Sequence, residues 1–167
     1  SPSTVRNHRA KVLDMTISLT TARTVVRAAL AAGRAEDMMP LTVAVLDPGG
    51  HLIALEREDG SGIIRVEIAT GKAYAALGMG APTRTLRDRL ADRPNFVSGL
   101  ASASGGRFVA VPGGVLLHDA TNTLVGAVGI SGDTSDRDEY CAITAAYEAG
   151  LIPAPKAPID GWRGSKL

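Results

Sequence analysis

Three residues are this sequence's candidates for acid–base chemistry. Lys72 lies in a run of alanine and glycine residues, where a desolvated amine can serve as a base or contact an anion. Asp59 precedes a glycine in a loop, and His118 ends a predicted core strand at a turn. Together they support the hypothesis of an enzyme that moves protons on a small organic acid or ketone. Solvated surface residues are the alternative interpretation of all three.

A second set of residues predicts a binding surface for a small ligand. Pro112, Gly113 and Gly114 lie between two apolar runs. Because glycine has no Cβ, the backbone there can approach a ligand closely. Arg57, two residues before Asp59, can orient an anionic group or form an exposed ion pair. We therefore expect the binding site at a glycine-rich rim of the protein.

Four carboxylates surround the predicted start of the last helix. They suit the positive end of a helix dipole or a hard cation better than a phosphate, which they would repel, and helix capping is the favoured interpretation. The sequence has no zinc-ligand spacing, no phosphate-binding glycine loop and no nucleophile elbow, so we expect no protein-held metal. The four acids are Asp133, Asp136, Asp138 and Glu139.

The composition excludes several classes of protein. A net charge of +1 and 4% aromatic residues argue against a nucleic-acid surface. No apolar run approaches the roughly 20 residues of a membrane span. The only cysteine, Cys141, cannot form an internal disulfide, and we expect a cytoplasmic protein. The last residues, Ser165, Lys166 and Leu167, match a peroxisomal address, which is the alternative if the source is eukaryotic.

The pattern of apolar runs and turn residues predicts one α+β domain over residues 18–152, because 167 residues suffice for one core. Residues 1–17 are expected to form a disordered arm, residues 93–107 a loop, and residues 153–167 an extended tail in which Trp162 docks in a groove. The predicted order of elements is α-β-β-α-α-β-β-β-α. The helices are predicted at about 21–32, 63–77, 83–91 and 135–149, and the strands at 41–46, 51–56, 108–111, 115–117 and 124–130.

With these elements in place, the chain resembles the GlcG/HbpS family, also called the haem-degrading or haem-binding domain family. It is also similar to the C-terminal half of PduO-type corrinoid adenosyltransferases. The order and spacing of four stretches carry the resemblance, and together they span nearly everything from the first helix to the last. They are LTVAVLDPGGHLIALEREDG (41–60), EIATGKAYAALGMGAPT (67–83), VPGGVLLHD (111–119) and VGAVGISGDTSDRDE (125–139).

The resemblance implies a five-stranded antiparallel sheet flanked by helices, in homo-oligomers from dimers to octamers. It also implies haem or another tetrapyrrole as the first candidate ligand. The family's haem contacts are attributed to the loop that corresponds to residues 93–99, which contains Asn95 and Phe96. Neither side chain is a good iron ligand. The possible iron donors are His8, His51, His118, Tyr74, Tyr140, Tyr147, the four methionines and Cys141, and no C-x-x-C-H motif exists for covalent attachment.

Three hypotheses about function remain open at this point. The first is a small-ligand-binding homo-oligomer whose pocket combines the Pro112–Gly114 turn, residues 93–99 and Lys72 at a subunit interface. The second is the acid–base enzyme described above. The third is an accessory subunit of a larger complex, because a helix of small residues and a proline-rich tail suit contact with a partner.

Overall fold

One antiparallel sheet of five strands forms the centre of the structure, a computed structural model that describes residues 15–167. Two neighbouring strands of this sheet, residues 42–46 and 124–131, are buried on both faces, as expected from their uninterrupted apolar runs. The strands are β1 (Thr42–Leu46), β2 (Leu52–Arg57), β3 (Gly114–His118), β4 (Leu124–Ser131) and β5 (Ile152–Ala154), in the order β2-β1-β4-β3-β5.

Helices cover both faces of the sheet, which gives three layers. Side chains alternate along each strand, so that Val43 and Val45 of β1 face one helical layer, while Leu46 faces the other. The helices are α1 (Leu19–Ala35), α2 (Arg65–Met79), α3 (Thr83–Leu90), α4 (Pro94–Ala103) and α5 (Ser135–Glu148), followed by a 3₁₀ turn at Trp162–Gly164. α1 and α5 pack together on one face, and α2 packs on the other.

The helix α2 lies unusually close to the sheet because glycines face it. A Cβ added at Gly129 of β4 would lie 1.9 Å from the carbonyl oxygen of Ala69, and one at Gly114 of β3 would lie 2.4 Å from the carbonyl oxygen of Lys72. The small residues of α2 that face the sheet, including Ala73, are fully buried. The small-residue face of this helix therefore packs against the protein's own sheet.

The predicted fold class, α+β with five antiparallel strands, is confirmed, but the position of one strand was wrong. Residues 108–111 form no strand. They run beside α2 instead, where the Val109 N–H donates to the carbonyl oxygen of Gly71 at 3.3 Å. The fifth strand is β5, which pairs with β3 through Leu117 and Pro153. A proline is tolerated there because β5 is an edge strand.

The predicted loop at residues 93–107 was also wrong in its first part. Residues 94–103 form α4, which begins with Pro94 at its first position, where the missing N–H leaves no hydrogen bond unmade. Serine and glycine residues at the end of this segment favour a loop in the sequence, but the fold provides an apolar surface for Val97 and Leu100. Those two side chains pack against Leu86 and Leu90 of α3.

The two ends of the domain are fixed by contacts with the core. Residues 1–14 of the predicted arm lie outside the described residues, but Ile17 is buried and donates its N–H to the carbonyl oxygen of Val125 at 2.9 Å. Trp162 is also buried, and its ring stacks on Tyr140 of α5 with the centroids 3.7 Å apart. Within residues 15–167, no helix combines the length and the apolar character needed to cross a membrane.

The close approach of α2 predicts opposite effects for two glycine-to-alanine substitutions. Gly129→Ala should lower the free energy of unfolding by about 3 kcal/mol or more, the upper range for overpacked cores, because backbone atoms cannot move away from the new methyl group. Gly78→Ala, in an exposed position of α2, should raise it by about 0.5–1 kcal/mol, because the new methyl group would meet no atom of residues 15–167 beyond its own helix within 4 Å. Urea denaturation measures both, and a small, equal effect of the two substitutions would contradict this packing.

Candidate functional site

Lys72 is buried inside the protein, although it is the sequence's strongest candidate for chemistry. Only 2% of its side chain is exposed, and that of Asp138 on α5 is 1% exposed. The Lys72 Nζ donates to the carbonyl oxygen of Ile130 at 2.8 Å and to Asp138 Oδ2 at 3.1 Å. Asp138 Oδ1 in turn accepts from the backbone N–H of Asp133 at 3.0 Å. The ammonium therefore joins α2, the end of β4 and α5.

Burial shifts the pKa values of both partners toward their neutral forms. Burial lowers the pKa of Lys72, and the neighbouring Asp138 carboxylate opposes this shift. Burial likewise raises the pKa of Asp138 to about 6, against the attraction of Lys72. Both shifts show that removal from water costs more than the mutual attraction returns. The pair is a structural connection, and its amine does not reach solvent.

The glycine-rich turn forms a roof over this ion pair. Gly113 has a φ of +123°, and a Cβ added there would lie 2.8 Å from Lys72 Nζ and 2.8 Å from the carbonyl oxygen of Ile130. The N–H of Gly114 donates to Thr83 Oγ1 at 2.8 Å. The structure thus brings Gly113 and Gly114 together with Lys72. Pro112 and both glycines are buried, so the turn encloses the lysine.

The acidic residues at the start of α5 are engaged by cations of the protein itself. Glu139 is fully buried and pairs with the guanidinium of Arg84, and burial still raises the pKa of Glu139. Asp133 Oδ1 lies 3.2 Å from Arg137 Nη1. With Asp138 bound to Lys72, three of the four acids hold structural ion pairs. Helix capping, the interpretation favoured for the four acids, therefore leaves out these ion pairs.

Asp59 and Arg57 line a surface cleft at the end of β2. The cleft has a volume of about 500 Å³, and its wall is mostly charged. One ion pair, between Arg34 Nε and Glu58 Oε2 at 3.1 Å, is part of that wall. The lining residues are Leu30, Arg34, Pro40, Glu56, Arg57, Glu58 and Asp59.

The structure places His118 away from Lys72. β3 begins at Gly114, near the ammonium, and ends at His118, so about 13 Å of strand separate the two positions. Lys72 is buried and Asp59 is exposed in the cleft. A common proton-transfer site of Lys72, Asp59 and His118 stays a prediction, and their placement gives it no geometric support.

A second polar cluster lies at the turn between β1 and β2, at the end of the sheet opposite to Lys72. Asp47 Oδ1 accepts from the N–H of Gly49 at 2.9 Å and from the N–H of His51 at 3.0 Å, and it lies 3.2 Å from His51 Nδ1. The ring of Tyr74 packs against Gly50, where an added Cβ would lie 2.9 Å from it. The guanidinium carbon of Arg107 lies 4.2 Å from the centroid of the same ring.

Asn95 and Phe96 lie on α4, which leaves much of its surface uncovered. None of the residues of α4 is buried, and Phe96 is 38% exposed. The guanidinium carbon of Arg93 lies 4.2 Å from the centroid of the Phe96 ring. This surface therefore offers an aromatic ring with a cation beside it.

Several residues of these clusters escaped the interpretation of the sequence. Asp138 has the position of a helix-start residue in the sequence, and its pairing with Lys72 is not visible there because the two are 66 residues apart. The pairing of Tyr74 with Arg107 depends on the path of residues 104–113, which no local pattern predicts. The Asp47–His51 pair had a usable signal: an aspartate and a histidine four residues apart across a Pro-Gly-Gly turn.

Comparison with known proteins places the whole domain in a family. The family model described as "Haem degrading protein HbpS-like" matches residues 17–147. A protein of Citrobacter freundii, described as an uncharacterized 15.0 kDa protein in the dhaT-dhaS intergenic region, is 30% identical over 132 residues, which are 78% of this chain and 89% of the relative.

Two solved structures support the same assignment. The crystal structure of a complex of PduOC with haem has a TM-score of 0.72 and 27% identity, and the similarity covers 81% of this chain and 96% of that one. The crystal structure of HbpS has a TM-score of 0.67 and 29% identity, covering 79% of this chain and 89% of that one.

The buried ion pair predicts a pH-dependent loss of stability in Lys72→Met. This substitution should lower the free energy of unfolding by about 3–5 kcal/mol at about pH 8, because it leaves the Asp138 carboxylate buried without a counter-charge. The pKa of Asp138 is raised to about 6 in the folded protein, so between about pH 4 and 6 the folded state holds a proton that the unfolded chain has released. The contribution of Asp138 to the free energy of unfolding therefore falls as pH rises through this range. Without Lys72 this pKa rises further, and the loss should be clearly smaller at about pH 5.

Denaturant unfolding at the two pH values measures this difference. The control is Asp88→Asn, which removes the exposed partner of the surface ion pair with Arg87 and should cost less than about 1 kcal/mol at either pH. A loss in Lys72→Met that is equally large at both pH values would show that the Asp138 carboxylate is not responsible.

Proposed function

Because the chain belongs to the HbpS-like family of haem-degrading proteins, we propose that it is a homo-oligomeric small-ligand-binding protein whose first ligand is haem or another tetrapyrrole. The observation that carries this proposal is the similarity of most of the chain to a domain that was solved as a complex with haem. Both the sheet and the helices around it take part in that similarity. A shared fold alone would be weak evidence, but here it coincides with family membership and a suitable set of surface side chains.

Haem requires an apolar contact for its ring, cations for its propionates and a donor for its iron. Three exposed arginines stack on aromatic rings among residues 15–167, and one of them, Arg163 over Trp162, is paired with Glu36. The other two are Arg93 over Phe96 and Arg107 over Tyr74. Among residues 15–167, neither guanidinium forms an ion pair with a carboxylate. Their charges are therefore available to an anionic planar ligand, and the neighbouring rings suit its flat surface.

The residues of the chain would hold and orient the ligand, and bound haem would supply an iron centre for redox or ligand-exchange chemistry. The arginines would bind its carboxylates at the surface. Lys72 is too deeply buried to contact it and would act only by keeping the Pro112–Gly114 turn in place. This arrangement differs from the predicted pocket, in which Lys72 itself faced the ligand.

Oligomerisation would complete the surface around α4. The sequence of this helix is largely apolar, yet none of its residues is buried in the single chain. Burying such a surface against a second copy would gain roughly 25 cal/mol for each Å² of apolar area removed from water. We propose that a second copy, or the ligand together with a second copy, covers Phe96 and its neighbours.

A haemin titration tests this function. We expect a saturable Soret band with one haem bound for each chain or for each pair of chains. Arg107→Gln and Arg93→Gln should each weaken binding about 2–5-fold, the effect of losing one solvent-exposed ion pair. The control is Arg27→Gln, which removes an exposed charge from α1 and should leave the affinity unchanged.

The comparison sample is haemin in buffer without protein. If the Soret band of haemin has the same position with the protein as in this blank, the chain does not bind haem and the proposed function is wrong. Equal affinities of the three arginine variants would instead show that the two stacked arginines lie outside the binding surface.

A further inference from the structure

His51 differs from an ordinary surface histidine because a carboxylate holds its ring. Its side chain is 80% exposed, whereas that of Asp47 is 23% exposed. Asp47 Oδ1 is positioned by two backbone N–H groups of the turn, from Gly49 and His51. The same oxygen lies 3.2 Å from His51 Nδ1. The turn thus fixes the carboxylate, and the carboxylate fixes the imidazole.

This contact determines which nitrogen of the ring can bind a metal. An ionised carboxylate only accepts hydrogen bonds, so Nδ1 carries the proton and donates it to Asp47. In the neutral ring, Nε2 then keeps its lone pair. A histidine that binds a metal commonly donates its other N–H to a carboxylate, which orients the ring and makes the ligand more basic. The pair therefore has the chemistry of a metal-ligating histidine with its positioning residue.

We propose that His51 binds the iron of haem through Nε2, and that Asp47 is the residue that positions it. The inference rests on the proposed haem binding and adds the iron ligand, which the family's assigned contacts on residues 93–99 do not supply. A single axial histidine is sufficient to hold a haem iron. Without the ligand, the imidazole lies at the surface and remains open to it.

The surroundings of His51 suit the rest of the haem molecule. Leu52 follows it directly and leaves 54% of its side chain exposed, which provides apolar contact for a porphyrin edge. Gly50, on its other side, packs against Tyr74, over which the guanidinium of Arg107 is stacked. The iron donor is thus followed in the chain by an exposed apolar side chain, and Gly50 of the same turn contacts the ring that carries a cation for a propionate.

The other histidine among residues 15–167, His118, lacks this arrangement. Asp119 follows it directly in the chain. Asp119 Oδ1 accepts from Thr121 and Thr123 and makes no hydrogen bond to the imidazole. His118 is also half-buried at the end of β3, between two neighbouring strands. Its ring is neither oriented by a carboxylate nor freely accessible.

Absorption and resonance Raman spectra of the full chain with haemin test the assignment. In His51→Ala the histidine-ligated Soret spectrum should be lost, and free imidazole should restore it. Asp47→Asn keeps an oxygen acceptor for the turn but loses the negative charge. It should weaken haem binding about 10–100-fold and lower the iron–histidine stretching frequency of the ferrous form. His118→Ala should leave spectrum and affinity unchanged.

The possible results separate this inference from the function on which it rests. If wild-type protein binds no haemin, the proposed function fails, and the ligand assignment fails with it. If haemin binds, but His51→Ala keeps the wild-type spectrum and affinity, the assignment is overturned and haem binding stands. Loss of the spectrum in His118→Ala would also overturn it. Far-UV circular dichroism confirms that each variant is folded, which we expect because His51 is exposed.

Discussion

The ammonium of Lys72, buried where α2, the end of β4 and α5 meet, makes the interaction on which the rest of the structure depends. It connects three elements that are distant in the chain, through the Ile130 carbonyl oxygen and the Asp138 carboxylate. A charge in such a place needs both partners, because an unpaired buried ion costs several kcal/mol. It also needs space, which explains why Gly113, with no side chain of its own, lies directly above the ammonium.

The close contact of α2 with the sheet follows from the same constraint. Lys72 reaches Ile130 only because Gly129 lets the helix backbone approach β4, and the carbonyl oxygen of Ala69 occupies the position that a side chain would fill. The end of the sheet that holds this pair is therefore filled with structural contacts. Its buried polar residues are used to assemble the domain, while the charged cleft lined by Arg57 and Asp59 stays open at the surface of the same end.

The opposite end of the sheet has the reverse character. The β1–β2 turn is exposed and is fixed by hydrogen bonds within the turn, and the exposed Arg107 is stacked on the half-buried ring of Tyr74. Turns on a rigid sheet are common places for binding residues, since they can carry polar groups without the cost of desolvation. The contrast between a buried ion pair at one end and an open turn at the other explains how one small domain can be stable and still present an accessible histidine.

The sequence by itself determined the family, the α+β class and the elements with strong local patterns. The Pro-Gly-Gly turn between β1 and β2 and the buried run of β4 could both be predicted, because neighbouring residues determine them. The tertiary structure alone decided that residues 152–154, not 108–111, complete the sheet, since that depends on which segment reaches the free edge of β3. It also decided that Lys72 is buried against Asp138. Burial and pairing depend on residues far apart in the chain, and a local pattern carries no information about them.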